Sequence, residues 1–122
     1  MPTLDVKKLA NDILTNLNNE IKGDIETYVA FAKRQSTALA QQAAWITAET
    51  ASKALSDADR DWFLGDLAQS TENFSHTIAA LSILTFEKAW NSVVNTIWGA
   101  INDIIKPAIG ITLPIPSMPE IK

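Results

Sequence analysis

Apolar residues recur at Val6, Leu9, Ile13, Leu17, Ile21, Ile25, Tyr28 and Ala32, and again at Leu39, Ala43 and Ile46, mostly three or four positions apart. That spacing lines them up on one face of a helix. Thr3 is placed to cap its start, and Asp5 falls in the first turn, where a carboxylate meets the positive end of the helix dipole. Gly23-Asp24 interrupts the stripe chemically, and a glycine inside a helix costs roughly 1 kcal/mol against alanine. The apolar phase nevertheless carries across it, so a straight helix and one broken or kinked at 23–24 both satisfy the pattern. Between Tyr28 and Ile46 the steps of 4, 3, 4, 4 and 3, counting Gln35, resemble an 11-residue repeat. This predicts a nearly straight or slightly right-handed packing seam. Alanine, glutamine and threonine dominate from Ser36 to Ala54, which favours helix and allows close helix approach.

Near the midpoint the stripe stops at Ser56-Asp57-Ala58-Asp59-Arg60-Asp61. Ser56 has the chemistry of an N-cap, with its hydroxyl accepting from the Asp59 amide and three carboxylates at the start of a new helix. The segment 56–61 therefore predicts the tip of a helical hairpin. The second helix starts at Trp62, Phe63 and Leu67 and continues through Phe74, Ile78, Leu81, Leu84, Trp90, Val94, Ile97, Ile101 and Ile104 or Ile105, with Gly65 and Gly99 as soft points. Ile83, Phe86, Val93 and Trp98 widen its apolar face beyond what one partner helix covers. Either the chain folds back at Gly23 into a three- or four-helix bundle, or hairpins associate. Each arm of an unbroken hairpin would be roughly 75 Å long at the α-helical rise.

Lys106-Pro107 predicts the end of the second helix, because proline cannot donate to the preceding turn. Beyond it, Pro114, Pro116 and Pro119 punctuate a segment in which Ile109, Ile111, Leu113 and Ile115 alternate with period two. An extended arm over 107–122 would project them from one face and dock along a groove, on its own body or on a neighbour. The division is thus a helical domain over 1–106 and an arm over 107–122.

Composition narrows the classes. The chain has 122 residues, 47% of them hydrophobic, which is one domain with material for a core. Ten basic residues stand against 14 acidic ones, a formal charge of −4. The excess is confined to residues 57–122, and no basic stripe matches a phosphate backbone, so nucleic acid is not an expected partner. There is no cysteine, hence no disulfide or thiolate metal site. The N-terminus lacks the apolar core of a secretory signal. Glu87, Lys88, Asp103 and Lys106 break up the most apolar region, so no membrane-spanning helix is expected and the default location is cytoplasmic or within an assembly.

Candidate chemistry is sparse. Asp57, Asp59 and Asp61 match the first three ligand positions of a calcium loop, but its sixth position would be Trp62 instead of glycine and its twelfth Ala68 instead of glutamate. A capped, solvated helix start is the better reading. Glu72 and His76 stand four apart, where carboxylate-bridged metal bundles use three, and His76 is the only histidine. No nucleophile elbow or phosphate loop is present. No catalytic residue, metal ligand or cofactor is therefore assigned.

The tip reads Trp62-Phe63-Leu64-Gly65, and with the hairpin length it resembles the small secreted WXG-type helical hairpin proteins. Two residues separate the tryptophan from the glycine instead of one, and no tyrosine-based export motif follows the second helix. Length and helical composition are also similar to granule-coating phasins. Neither resemblance rests on a specific motif, and no family follows from it.

The sequence thus predicts an all-α protein, an elongated antiparallel helical hairpin or small helical bundle with a proline-containing C-terminal arm. Its expected role is non-enzymatic: a structural or interaction protein in a homo-oligomer or larger complex, a virion or envelope-associated assembly being one such type. The expected interface is Trp90, Val94, Ile97, Trp98 and Ile101 on the second helix, with Ile111, Leu113 and Ile115 on the arm. The alternative is an amphipathic helical protein that binds lipid or another hydrophobic surface, or forms part of a pore.

Overall fold

Four helices carry the chain: α1 (Val6–Ile21), α2 (Val29–Ala51), α3 (Asp57–Leu81) and α4 (Phe86–Ile109). The computed structural model describes residues 4–21, 29–81 and 85–118. Gly23-Asp24 lies outside the described residues. The helices on either side of it, α1 and α2, pack against each other, so one straight helix through this region is excluded.

The arrangement is an up-down-up-down bundle. Asn16 on α1 donates to the Thr96 hydroxyl on α4 at 2.7 Å, while Leu4 to Asp12 lie beside Ala100 to Ile104, which makes α1 and α4 antiparallel. Phe31 stacks on Phe74 at 6.0 Å and Gln42 donates to Asp66 at 3.1 Å, so α2 and α3 also run in opposite directions. His76 stacks on Phe86 at 4.1 Å at one end of the α3–α4 pair, and Leu64 and Ala68 flank Trp98 further along it. Helices α2 and α4 touch across the short diagonal, and α1 and α3 are kept apart.

Three boundaries differ from those the sequence predicts. A single second helix from Trp62 to Ile105 is replaced by α3 and α4, because a new N-terminus forms at Thr85. Thr85 has extended backbone (φ −75°, ψ 158°) and its hydroxyl accepts from the Lys88 amide, with Glu87 in the first turn. The continuous apolar stripe hid this cap. Helices α2, α3 and α4 are about 24 residues long, hence roughly 36 Å, half the length of unbroken hairpin arms.

The second difference is at Pro107, which lies inside α4 and does not end it. The helix stops at Gly110, in the left-handed region at φ 76°, where glycine has no Cβ to clash. Its amide donates to the Lys106 carbonyl at 2.8 Å.

The α2–α3 connection spans Ser52 to Ser56, earlier than the expected tip, and residues 57–61 already belong to α3. Lys53 sits in the left-handed region (φ 62°). Its amide donates to Thr50 carbonyl at 3.0 Å and the Ala54 amide to Glu49 carbonyl at 2.9 Å, the pair of bonds that defines a Schellman C-cap. Ser56 then caps α3 as its chemistry predicts, its hydroxyl accepting from the Asp59 amide at 3.1 Å.

The core pairs a bulky helix with a small-residue one. Helix α4 buries Phe86, Trp90, Val93, Val94, Ile97, Trp98, Ile101 and Ile105. Helix α2 buries Ala32, Ser36, Ala40, Ala43, Thr47 and Thr50 beside only two larger residues, Leu39 and Ile46. Small side chains on α2 let it approach both neighbours and the diagonal helix, and the large α4 side chains fill the space between. Leu9, Ile13 and Leu17 from α1 and Leu67, Phe74 and Ile78 from α3 close the core. Buried hydroxyls mostly bond back to their own helix: Thr47 to Ala43 carbonyl at 2.7 Å, Thr71 to Leu67 and Ser75 to Thr71, both at 2.8 Å.

Residues 111–118 form neither helix nor strand. Leu113 is buried, and its backbone is held by the Asn102 side chain of α4, so the segment doubles back over the last two turns of that helix.

Candidate interaction surface

The residues singled out on the second helix, Trp90, Val94, Ile97, Trp98 and Ile101, are all buried within the single chain. The surplus apolar width that pointed to an intermolecular contact is covered by α1, α2 and α3, because the chain makes four helices and not two. Leu113 is likewise buried, whereas Ile111 and Ile115 on either side of it are exposed. This departs from the single shared face that the period-two alternation predicts: residues 111–118 are not a regular strand, and of the three only Leu113 enters the groove.

A surface for a partner is therefore to be sought among exposed apolar residues. The large ones are Trp45, Trp62, Ile111, Ile115 and Met118. Trp45, Trp62 and Ile111 lie toward one end of the bundle, where α2 ends, α3 begins and the chain leaves α4, and Ile115 and Met118 follow on the segment that doubles back from it. Ile109 and Ile111 face Thr50, Lys53 and Leu55 across a hollow of about 300 Å³, and Pro114 and Pro116 border a groove of about 340 Å³ with Leu64, Gly65 and Ala68.

The aromatic part of this surface has a defined geometry. Half-buried Phe63 on α3 meets the Trp45 indole edge-on (4.7 Å, 72°) and the Trp62 indole edge-on (5.1 Å, 89°). Trp62 is 66% exposed and Trp45 46%. An indole that far out of the core gives up much of the burial energy it could have had, and the edge-to-face contacts hold both rings in place. What distinguishes Trp62 is its position on the same row as Asp59 and Asp66, three residues before and four after it, with Ala58 and Gly65 as the other residues one turn away and Phe63 as its ring partner.

Carboxylates flank these aromatic residues along the chain. Arg60, with its side chain only 15% exposed, ion-pairs with Asp57 and Asp61, both at 3.2 Å. Asp66 accepts from Gln42 at 3.1 Å, and among the described residues no cation pairs with Asp59, Asp66 or Glu49. Asp57, Asp59 and Asp61 thus stand in a helix start capped by Ser56, with Asp57 and Asp61 paired to Arg60, and among the described residues no group of three or more potential ligands converges. Glu72 accepts from Gln69 at 3.0 Å and His76 lies on Phe86, so those two side chains are engaged separately. On the opposite side of the same end, Lys8 donates to Asp12 at 2.9 Å, and this hydrogen bond, reinforced by the carboxylate charge, raises the Lys8 pKa above its ordinary value.

Comparison with known protein families, with curated proteins and with solved structures returned no match for this chain. Among the described residues no helix is long and apolar enough to cross a membrane.

Proposed function

We propose that this chain is a non-enzymatic structural or interaction protein that works within a protein assembly and docks through the exposed end of its bundle. One observation carries the reading: five large apolar side chains, two of them tryptophans, remain exposed at that end and on the C-terminal segment that leaves it, in a chain that buries its own core. Aromatic residues held rigidly at a surface are the usual anchors of protein interfaces, since they bury a large area with few rotatable bonds. A bundle that satisfies its own core has no internal use for them.

Absolute mass by light scattering after size exclusion tests this, on material isolated under mild conditions and on the purified chain across a concentration series. The expected result is a mass above the 13.3 kDa of one chain in at least the first preparation, falling to one chain in the Trp45→Ser/Trp62→Ser double variant. A single-chain mass in both preparations would overturn the reading.

A further inference from the structure

We propose that the face around Trp62 is a docking site for a basic amphipathic segment of a partner protein, one that presents lysine or arginine together with apolar side chains; this rests on the interaction role proposed above. The occupant follows from charge. From Glu49 to Asp66 the chain carries five carboxylates against Lys53 and Arg60, which concentrates most of the protein's net charge of −4 beside the exposed indoles. Arg60 is already committed to Asp57 and Asp61. On the α1 and α4 side of this same end, Asp5, Asp12 and Asp103 are balanced by Lys7, Lys8 and Lys106.

A second copy of the chain would bring the same carboxylates against themselves in a two-fold contact, and an anionic lipid surface would be repelled in the same way. A cationic side chain is attracted twice, by Asp59 and Asp66 and by the π-face of the indole between them. The apolar side of the segment would lie on Phe63 and the exposed edge of Trp45. Gly65 adds room for it. No atom lies within 4 Å of where a Cβ would stand at this position, so packing within the chain gives no reason for the glycine, and its notch one turn from Trp62 admits a close backbone approach.

The test is a titration of the full chain with a synthetic lysine/leucine amphipathic peptide, followed by the four indole N–H resonances, with a glutamate/leucine peptide of equal length as comparison. The expected result is that the Trp62 and Trp45 signals move and those of buried Trp90 and Trp98 do not. Trp62→Ala and Asp59→Asn/Asp66→Asn should each weaken binding about tenfold. Glu87→Gln, which removes a carboxylate at the other end of the bundle, should leave it unaltered. Binding that is indifferent to the Trp62 and Asp59/Asp66 variants, or equal for the two peptides, would overturn the inference. Movement of the Trp62 signal with protein concentration alone would assign the face to a second copy, overturning this inference while leaving the assembly role standing. Movement on adding phosphatidylcholine vesicles, with or without anionic lipid, and with neither peptide, would overturn both.

Discussion

Asn102 holds Leu113 by both hydrogen-bonding groups of its side-chain amide: Nδ2 donates to the Leu113 carbonyl at 3.0 Å and Oδ1 accepts from the Leu113 amide at 2.8 Å. The amide stands in for a paired strand, satisfying the backbone of Leu113, whose side chain is buried. Removing one partner leaves the other unsatisfied where it is partly desolvated. Asn102→Ala should therefore destabilise the chain by about 1–3 kcal/mol. Asn102→Asp should also destabilise it, because a carboxylate cannot donate to the Leu113 carbonyl. Denaturant unfolding gives the stability, and hydrogen exchange of the Leu113 amide should accelerate in both variants. Unchanged exchange would mean that the segment is held by the Leu113 side chain alone.

The tryptophans divide into two energetic classes. Trp90 and Trp98 are each 2% exposed and surrounded by core residues, so Trp90→Ala should cost about 3–5 kcal/mol. Trp62→Ala should stay within about 0.5 kcal/mol, as for other surface changes away from caps and networks. Thermal unfolding of the two variants side by side checks this. A large loss on Trp62→Ala would show the ring to be part of the fold and would remove it from the candidate surface.

Ser36 is fully buried on α2 and its hydroxyl has no hydrogen-bond partner. Ser36→Ala removes an unsatisfied polar group and improves helix propensity, so a gain of about 1 kcal/mol is expected. The matching change at Thr50, whose hydroxyl is also buried and unpartnered, is Thr50→Val, which keeps the shape of the side chain. It should be neutral or stabilising. A loss of stability in either would reveal a buried water or a bond formed in solution.

Lys53 occupies the left-handed position of the α2 C-cap, where a side chain is strained and glycine is at ease. Lys53→Gly should stabilise the chain by roughly 0.5–1 kcal/mol, after allowing for the extra freedom glycine has in the unfolded state. The midpoint of urea unfolding should rise with no change in slope.

Helical content, the break near the middle of the chain and the Ser56 cap were legible from residues alone, because each depends on side chains within four positions of one another. The arm was not: its period-two pattern predicts one shared face for Ile111, Leu113 and Ile115, whereas the segment is no regular strand and buries only Leu113 of the three. The position of Lys53 could not be read this way, as nothing in its side chain favours the left-handed region. The break at Thr85 was obscured for a different reason. Apolar residues run through it in phase, and a helical stripe cannot say whether the chain continues or reverses.

That reversal decides the rest. With two helices, Trp90, Val94, Ile97, Trp98 and Ile101 would need a second chain to cover them; with four, α1, α2 and α3 cover them within one. Periodicity specifies that a residue faces away from water but not which helix meets it, because many packings bury the same stripe. Only the tertiary structure could therefore assign those residues to the core, bring Asn102 to the backbone of Leu113 and leave Trp62 exposed between Asp59 and Asp66.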